Sequence, residues 1–101
     1  MLDKKIKTTF KLFRMIRRSK KCIIFFIKKD GSKRVMDCIL DFKRIPKEMH
    51  PKKLNIRGII KDIKNDRIRV YDIENNGWRL ILTNNAYKAI IDNIEYKIEI
   101  K

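Results

Sequence analysis

One histidine, two cysteines and a scatter of aspartates are what this 101-residue chain offers for acid–base or covalent chemistry. His50 is the side chain whose ordinary pKa lies nearest neutrality. It precedes Pro51 among Lys and Glu neighbours, where a lone imidazole reads as a surface residue. Asp30, Asp62, Asp66 and Asp72 fall at turns or strand edges and form no paired-carboxylate motif. Cys22 and Cys38 lack a CxxC spacing and a His/Cys ligand cluster, so neither a zinc site nor a thiol nucleophile is expected. Both sit in apolar runs and read as buried reduced thiols, which fits a reducing compartment better than a disulfide framework. No glycine-rich phosphate loop is present. The expectation is a protein without enzymatic activity, cofactor or metal.

Charge is the stronger signal. Lys and Arg number 27 against 12 Asp and Glu, a formal net charge of +15. Such a surplus opposes compaction and attracts polyanions: DNA, RNA or an anionic membrane. Residues 1–21 carry nine basic groups and one acid, about half of the excess in a fifth of the chain. The chain is also rich in Ile and Asn, as an A/T-rich coding bias would make it, but such a bias would spread the lysines evenly. Lys4, Lys5, Lys7, Lys11, Arg14, Arg17, Arg18, Lys20 and Lys21 are therefore candidate phosphate contacts. Arg67, Arg69, Tyr71 and Arg79 form a second set, expected on one sheet face because alternate residues of paired strands are neighbours. Arg grips phosphate with a planar fork, and Tyr71 or Trp78 offers a ring for base stacking. Trp78 is better read as core. Nothing in either set reads base edges, so positioning contacts without sequence preference are expected.

The elements that hold these residues follow from hydrophobic period. Leu2, Ile6, Phe10, Phe13 and Ile16 recur at steps of three or four, which predicts a basic amphipathic helix over residues 3–19. Residues 22–28 read as a central strand and residues 33–40 as its hairpin partner across Asp30-Gly31. Met36, Cys38 and Leu40 are the expected core face. Pro46 and Pro51 make residues 41–55 a loop, pinned by Ile45 and Met49. Residues 56–63 read as a strand, with Gly58 marking a bulge or close approach. A second hairpin joins 67–73 to 78–83 across Asn75-Asn76-Gly77. Residues 84–91 read as a short helix or an irregular crossing. Residues 94–100 alternate as a half-exposed strand, with Ile94, Tyr96, Ile98 and Ile100 inward. The expected fold is mainly β: a basic N-terminal helix at 1–21, then a small barrel of five or six strands at 22–101.

The order of certain residues resembles a known family. Lys28-Lys29-Asp30-Gly31 is followed by Arg34, Met36 and Cys38, then by Ile45-Pro46-Lys47-Glu48 and Pro51-Lys52. Arg69-Val70-Tyr71-Asp72-Ile73-Glu74 and Gly77-Trp78-Arg79 come later. Over residues 23–91 this is similar to the small phage-encoded WYL-type, Sm-like SH3 β-barrel family, formerly a domain of unknown function. The resemblance implies an SH3/Sm-like barrel, a viral, bacteriophage origin and no catalytic activity. Leu80, Ile81 and Leu82 depart from the polar or aromatic pair that members often carry after Trp-Arg. A helix ahead of a five-stranded barrel is the layout of Sm-type RNA-binding proteins, by fold analogy.

Two functional readings follow. The first is a non-enzymatic phage nucleic-acid-binding protein, acting on DNA or RNA in the host-cell cytoplasm. The second is a protein-interaction module that binds and modulates a host or phage enzyme, with Phe10, Phe13 and Ile16 as the docking stripe. Attachment of the helix to a membrane surface ranks below both. No apolar run reaches the length of a membrane span, and no targeting peptide is read. The edge of residues 94–100 could pair between copies as a homo-oligomer.

Overall fold

The computed structural model describes residues 4–53 and 55–100. Leu2 and Asp3, at the head of the expected helix, and Lys101 lie outside the described residues. One seven-stranded sheet runs in the order β1-β7-β6-β2-β3-β4-β5, accompanied by two helices. The strands are β1 (Lys5–Ile6), β2 (Cys22–Ile27), β3 (Lys33–Ile39), β4 (Arg67–Asp72), β5 (Gly77–Leu82), β6 (Ala86–Ile91) and β7 (Ile94–Ile98). The helices are α1 (Thr9–Arg18) and α2 (Ile56–Lys64).

β2 is central, as its continuous apolar run requires, and pairs antiparallel with both β3 and β6. Gly31 takes φ +86° in the β2–β3 turn, a conformation open to glycine, while the Asp30 carboxylate accepts from the Ser32 backbone and hydroxyl. Cys22, Ile24, Met36, Cys38, Leu40, Ile68, Val70 and Ile81 form the core, so the expected inner face of β3 is correct. Cys22 and Cys38 are free, buried and directly opposite in register.

The N-terminal segment belongs to this core. Ile6, Leu12 and Ile16 are fully buried within the same cluster. The Thr8 side chain caps α1 by accepting from the Lys11 backbone, which places the helix start later than residue 3. Before it, β1 runs parallel to β7, through Lys97 N–H to Lys4 C=O and Glu99 N–H to Ile6 C=O. That pairing takes up the outer edge of β7 within the chain. Ile16 is thereby core rather than docking surface, while Phe13 packs half-buried and Phe10 stays exposed.

Three elements differ from the reading by propensity. Residues 56–64 are helix, because Asn55 caps the segment and its isoleucines repeat with a helical period. Gly58 marks neither a bulge nor a backbone approach: its near neighbour is the capping Asn55 side chain, which accepts from the Gly58 N–H at 2.9 Å. Residues 86–91 are strand, following a short 3-10 turn over 83–85. Tyr87 is the extra residue where Phe25 pairs with Lys88 and Phe26 with Ala86. This bulge breaks the two-residue alternation. Ile94 is exposed at the mouth of the Asp92-Asn93 turn, while Ile98 and Ile100 are buried as expected.

Candidate nucleic-acid interface

The cations differ in whether they meet an acid, and of the candidates read from the sequence Lys5 forms an ion pair on the β1–β7–β6 side. On the β1–β7–β6 side they meet acids: Lys5 and Lys97 pair with Glu99, and Lys88 pairs with Glu95. The Lys97 hydrogen bond and the charges of Lys5, Lys97 and Lys7 hold the Glu99 carboxyl below its ordinary pKa. Lys5 therefore meets an acid on the β1 side. Lys4, Lys20 and Lys21 are exposed, with the last two held by backbone N–H bonds to the Asp92 carboxylate.

On the other side the cations lack such partners. Lys11, Arg14 and Arg18 follow one another along the outer face of α1 and, with Met15, line a shallow depression of about 220 Å³. Arg14 also lies over the exposed Phe10 ring at 5.7 Å. The next face of α1 turns Arg17 into a larger groove of about 660 Å³. Arg67 and Arg69 reach it from β4, Lys61 from α2 and Lys53 from the preceding loop, with Asp62 the acid among its lining residues. No carboxylate forms an ion pair with any of these eight cations among the described residues. Helix and sheet sets thus meet at one groove through Arg17, Arg67 and Arg69.

Of the expected sheet face, Arg79 lies on the opposite side and Tyr71 is covered. Arg79 pairs in register with Val70, whereas Tyr71 pairs with Trp78 and Arg69 with Leu80. Facing partners share a side, so Arg79 points away from Arg67, Arg69 and Tyr71. It turns instead to Asp72, 4.0 Å away, which Arg34 also approaches at 3.3 Å. Tyr71 shares the face of Arg67 and Arg69 but is 2 % exposed. The 41–50 loop folds over it, and Ile39, Ile45 and Tyr71 form a second small core. Stacking on a base is closed to Tyr71 as it stands.

Trp78 fastens that loop. Its indole N–H donates to the Met49 carbonyl at 2.6 Å, and its ring meets Tyr71 edge-on. Phe42, partly exposed, stands between Trp78 and His50. His50 bonds the Ile45 carbonyl through Nε2 and serves as a loop pin. Lys53, Lys61 and Phe42 were not among the sequence candidates. The helical period of residues 56–63 was the available signal for Lys61. Among the described residues no group of three or more His, Cys, Asp or Glu is placed to hold a metal. No helix there is long and apolar enough to cross a membrane.

Antiparallel strands wrapped around one aliphatic core, with a helix in front and a 3-10 turn ahead of β6, define an SH3-like barrel. The chain belongs to the family described as WYL_2, Sm-like SH3 beta-barrel fold, which matches residues 9–85. The match takes in α1, so the helix is part of the family pattern, which the resemblance read from residue 23 left out. No match was found among curated proteins or among solved structures.

Proposed function

We propose that the protein is a non-enzymatic nucleic-acid-binding barrel that grips phosphates. Lys11, Arg14 and Arg18 provide one bank of contacts, and Arg17, Arg67 and Arg69 continue it to the groove. The observation that carries this reading is clustering: among the described residues, eight cations of α1, α2, β4 and the loop before α2 line one depression and one groove with no ion pair, while acids meet the cations of β6, β7 and β1. A local surplus of this kind attracts a polyanion more strongly than the same charge dispersed. The family resemblance adds a phage origin and action in the host cytoplasm to the proposal.

Fluorescence anisotropy with labelled duplex DNA, single-stranded DNA and RNA across a salt series tests it. Five to eight engaged cations give a log–log salt slope of about −5 to −7 on duplex DNA. Sequence changes in the probe leave the affinity unchanged, because these contacts reach the backbone rather than base edges. Absence of binding at low salt ends the proposal.

A further inference from the structure

Helix α2 packs on β4 and α1 through half-buried Ile59 and Ile63 and leaves the rest of its apolar face open. Ile56, Ile59, Ile60 and Ile63 stand at i, i+3, i+4 and i+7, yet none is buried. Ile56 is 58 % exposed and Ile60 47 %. In α1 the same period sends Leu12 and Ile16 fully into the core. A helix of nine residues is marginal by propensity alone and ordinarily draws its stability from a covered apolar face.

Ile59 and Ile63 form one wall of the groove, opposite Phe13 of α1, above Leu40 and Ile68. The apolar part of this lining joins these aliphatic side chains, with Met49 and Pro51, to the rings of Phe13, Phe42 and Trp78. Trp78 is committed edge-on to Tyr71 and through its N–H to Met49. The interior thus suits apolar side chains, while the rim is cationic: Arg17, Lys53, Lys61, Arg67 and Arg69 against Asp62.

We infer that this groove docks a short acidic amphipathic helix of a partner protein. Its aliphatic residues, spaced three and four apart, lie against Ile59, Ile63 and Phe13, with Ile56 and Ile60 extending the contact. Flanking Glu or Asp residues meet Arg67, Arg69 and Lys61 at the rim. Arg17, Arg67 and Arg69 are shared with the proposed phosphate contacts, so peptide and nucleic acid compete at the groove, while the Lys11, Arg14 and Arg18 bank lies outside it.

The test uses the full chain and a synthetic helical peptide of about 16 residues, with Leu at i, i+3, i+4 and i+7, Glu at a few flanking positions and Ala and Gln elsewhere. A scrambled peptide of equal composition, dodecanoate and single-stranded DNA are the comparison probes. The patterned peptide binds at least about tenfold tighter than its scramble and slows amide exchange across residues 56–64. Ile60→Ser and Ile56→Ser, at exposed positions that leave the fold intact, each weaken it about fivefold or more. Arg67→Glu with Arg69→Glu weakens it further, whereas Lys11→Glu with Arg14→Glu and Arg18→Glu leaves it unchanged. Equal binding of the scramble, protection outside α2 and the groove, or occupation by dodecanoate or DNA in preference to the peptide overturns the inference.

Discussion

Thr9 and Thr83, 74 residues apart, share a buried hydrogen bond of 2.7 Å between their hydroxyls. The Thr9 hydroxyl also lies 2.7 Å from the Asp66 carboxylate, and the Thr83 hydroxyl and N–H both reach the Asp66 carbonyl, so two hydroxyl protons serve three contacts. This knot ties the first turn of α1 to the α2–β4 turn and to the turn before β6. It fixes the helix, and hence Arg17, relative to Arg67. Thr9→Val keeps the shape and removes the hydroxyl donor of the Asp66 carboxylate, while Thr83 keeps the Asp66 carbonyl, a cost of about 1–3 kcal/mol. Thr83→Val costs a similar amount, and the double variant costs less than the two together. Urea unfolding of the four proteins checks it, and strict additivity would show that the hydroxyls do not cooperate.

Placement of charge, rather than its total, governs binding if the unpaired bank is the interface. Lys11→Glu, Arg14→Glu and Arg18→Glu combined should lower the magnitude of the salt slope by about 2–3. Lys29→Glu, Lys43→Glu and Lys47→Glu make the same change in net charge at exposed positions away from the bank. That control should bind clearly more tightly than the α1 variant in the same anisotropy titration. Equal losses in the two variants would mean that only net charge matters.

Much of the barrel was legible because its signals were local and unopposed. The run from Cys22 has one compatible structure beside an Asp-Gly turn, and Met36, Cys38 and Leu40 alternate cleanly into the core. The failures came where local rules competed. The isoleucines of 56–63 favour a strand by side-chain type and a helix by spacing, and the Asn55 cap decided for spacing. Tyr87 hid the period of β6 by adding one residue at a bulge. The site was harder. Arg79 lost its expected face because the turn after Asp72 sets the register, and one residue of register inverts every side chain. Tyr71 was covered by a loop distant in sequence, which alternation within its own strand does not reveal. The clustering of unpaired charge likewise depends on which strands meet, so Lys5 read as interface and proved to be paired with Glu99.

The Cys22–Cys38 pair gives a pH signature. The Cys38 thiol donates its proton towards Cys22, and that bond together with burial raises the Cys38 pKa well above its usual value of 9.0. The folded chain therefore keeps this proton at a pH where the unfolded chain has released it. The resulting stability is complete below the unfolded pKa and declines as pH rises from there towards the folded value. The difference in unfolding free energy between wild type and Cys38→Ala should thus shrink between about pH 8 and pH 10. Denaturant titrations at both ends check it, and a constant difference would place the thiol in an ordinary environment.

Asp72 is 1 % exposed and gathers the end of the β4–β5 hairpin. Its carboxylate accepts from the Asn75 side chain at 2.7 Å, the Asn75 backbone at 3.3 Å and the Arg34 guanidinium at 3.3 Å, with Arg79 at 4.0 Å. These bonds shape the turn that sets the β4–β5 register, and that register directs Arg69 towards the groove and Arg79 away from it. Asp72→Ala removes every acceptor at once and should cost about 2–3 kcal/mol, because hydrogen bonds to a charged group count for more than neutral ones. Arg34→Met should cost less, about 1 kcal/mol or below, since the arginine is part-exposed and Asn75 still satisfies the carboxylate. Thermal unfolding ranks the two variants. If Arg34→Met proved the more damaging, the guanidinium rather than the turn would be the principal partner of Asp72.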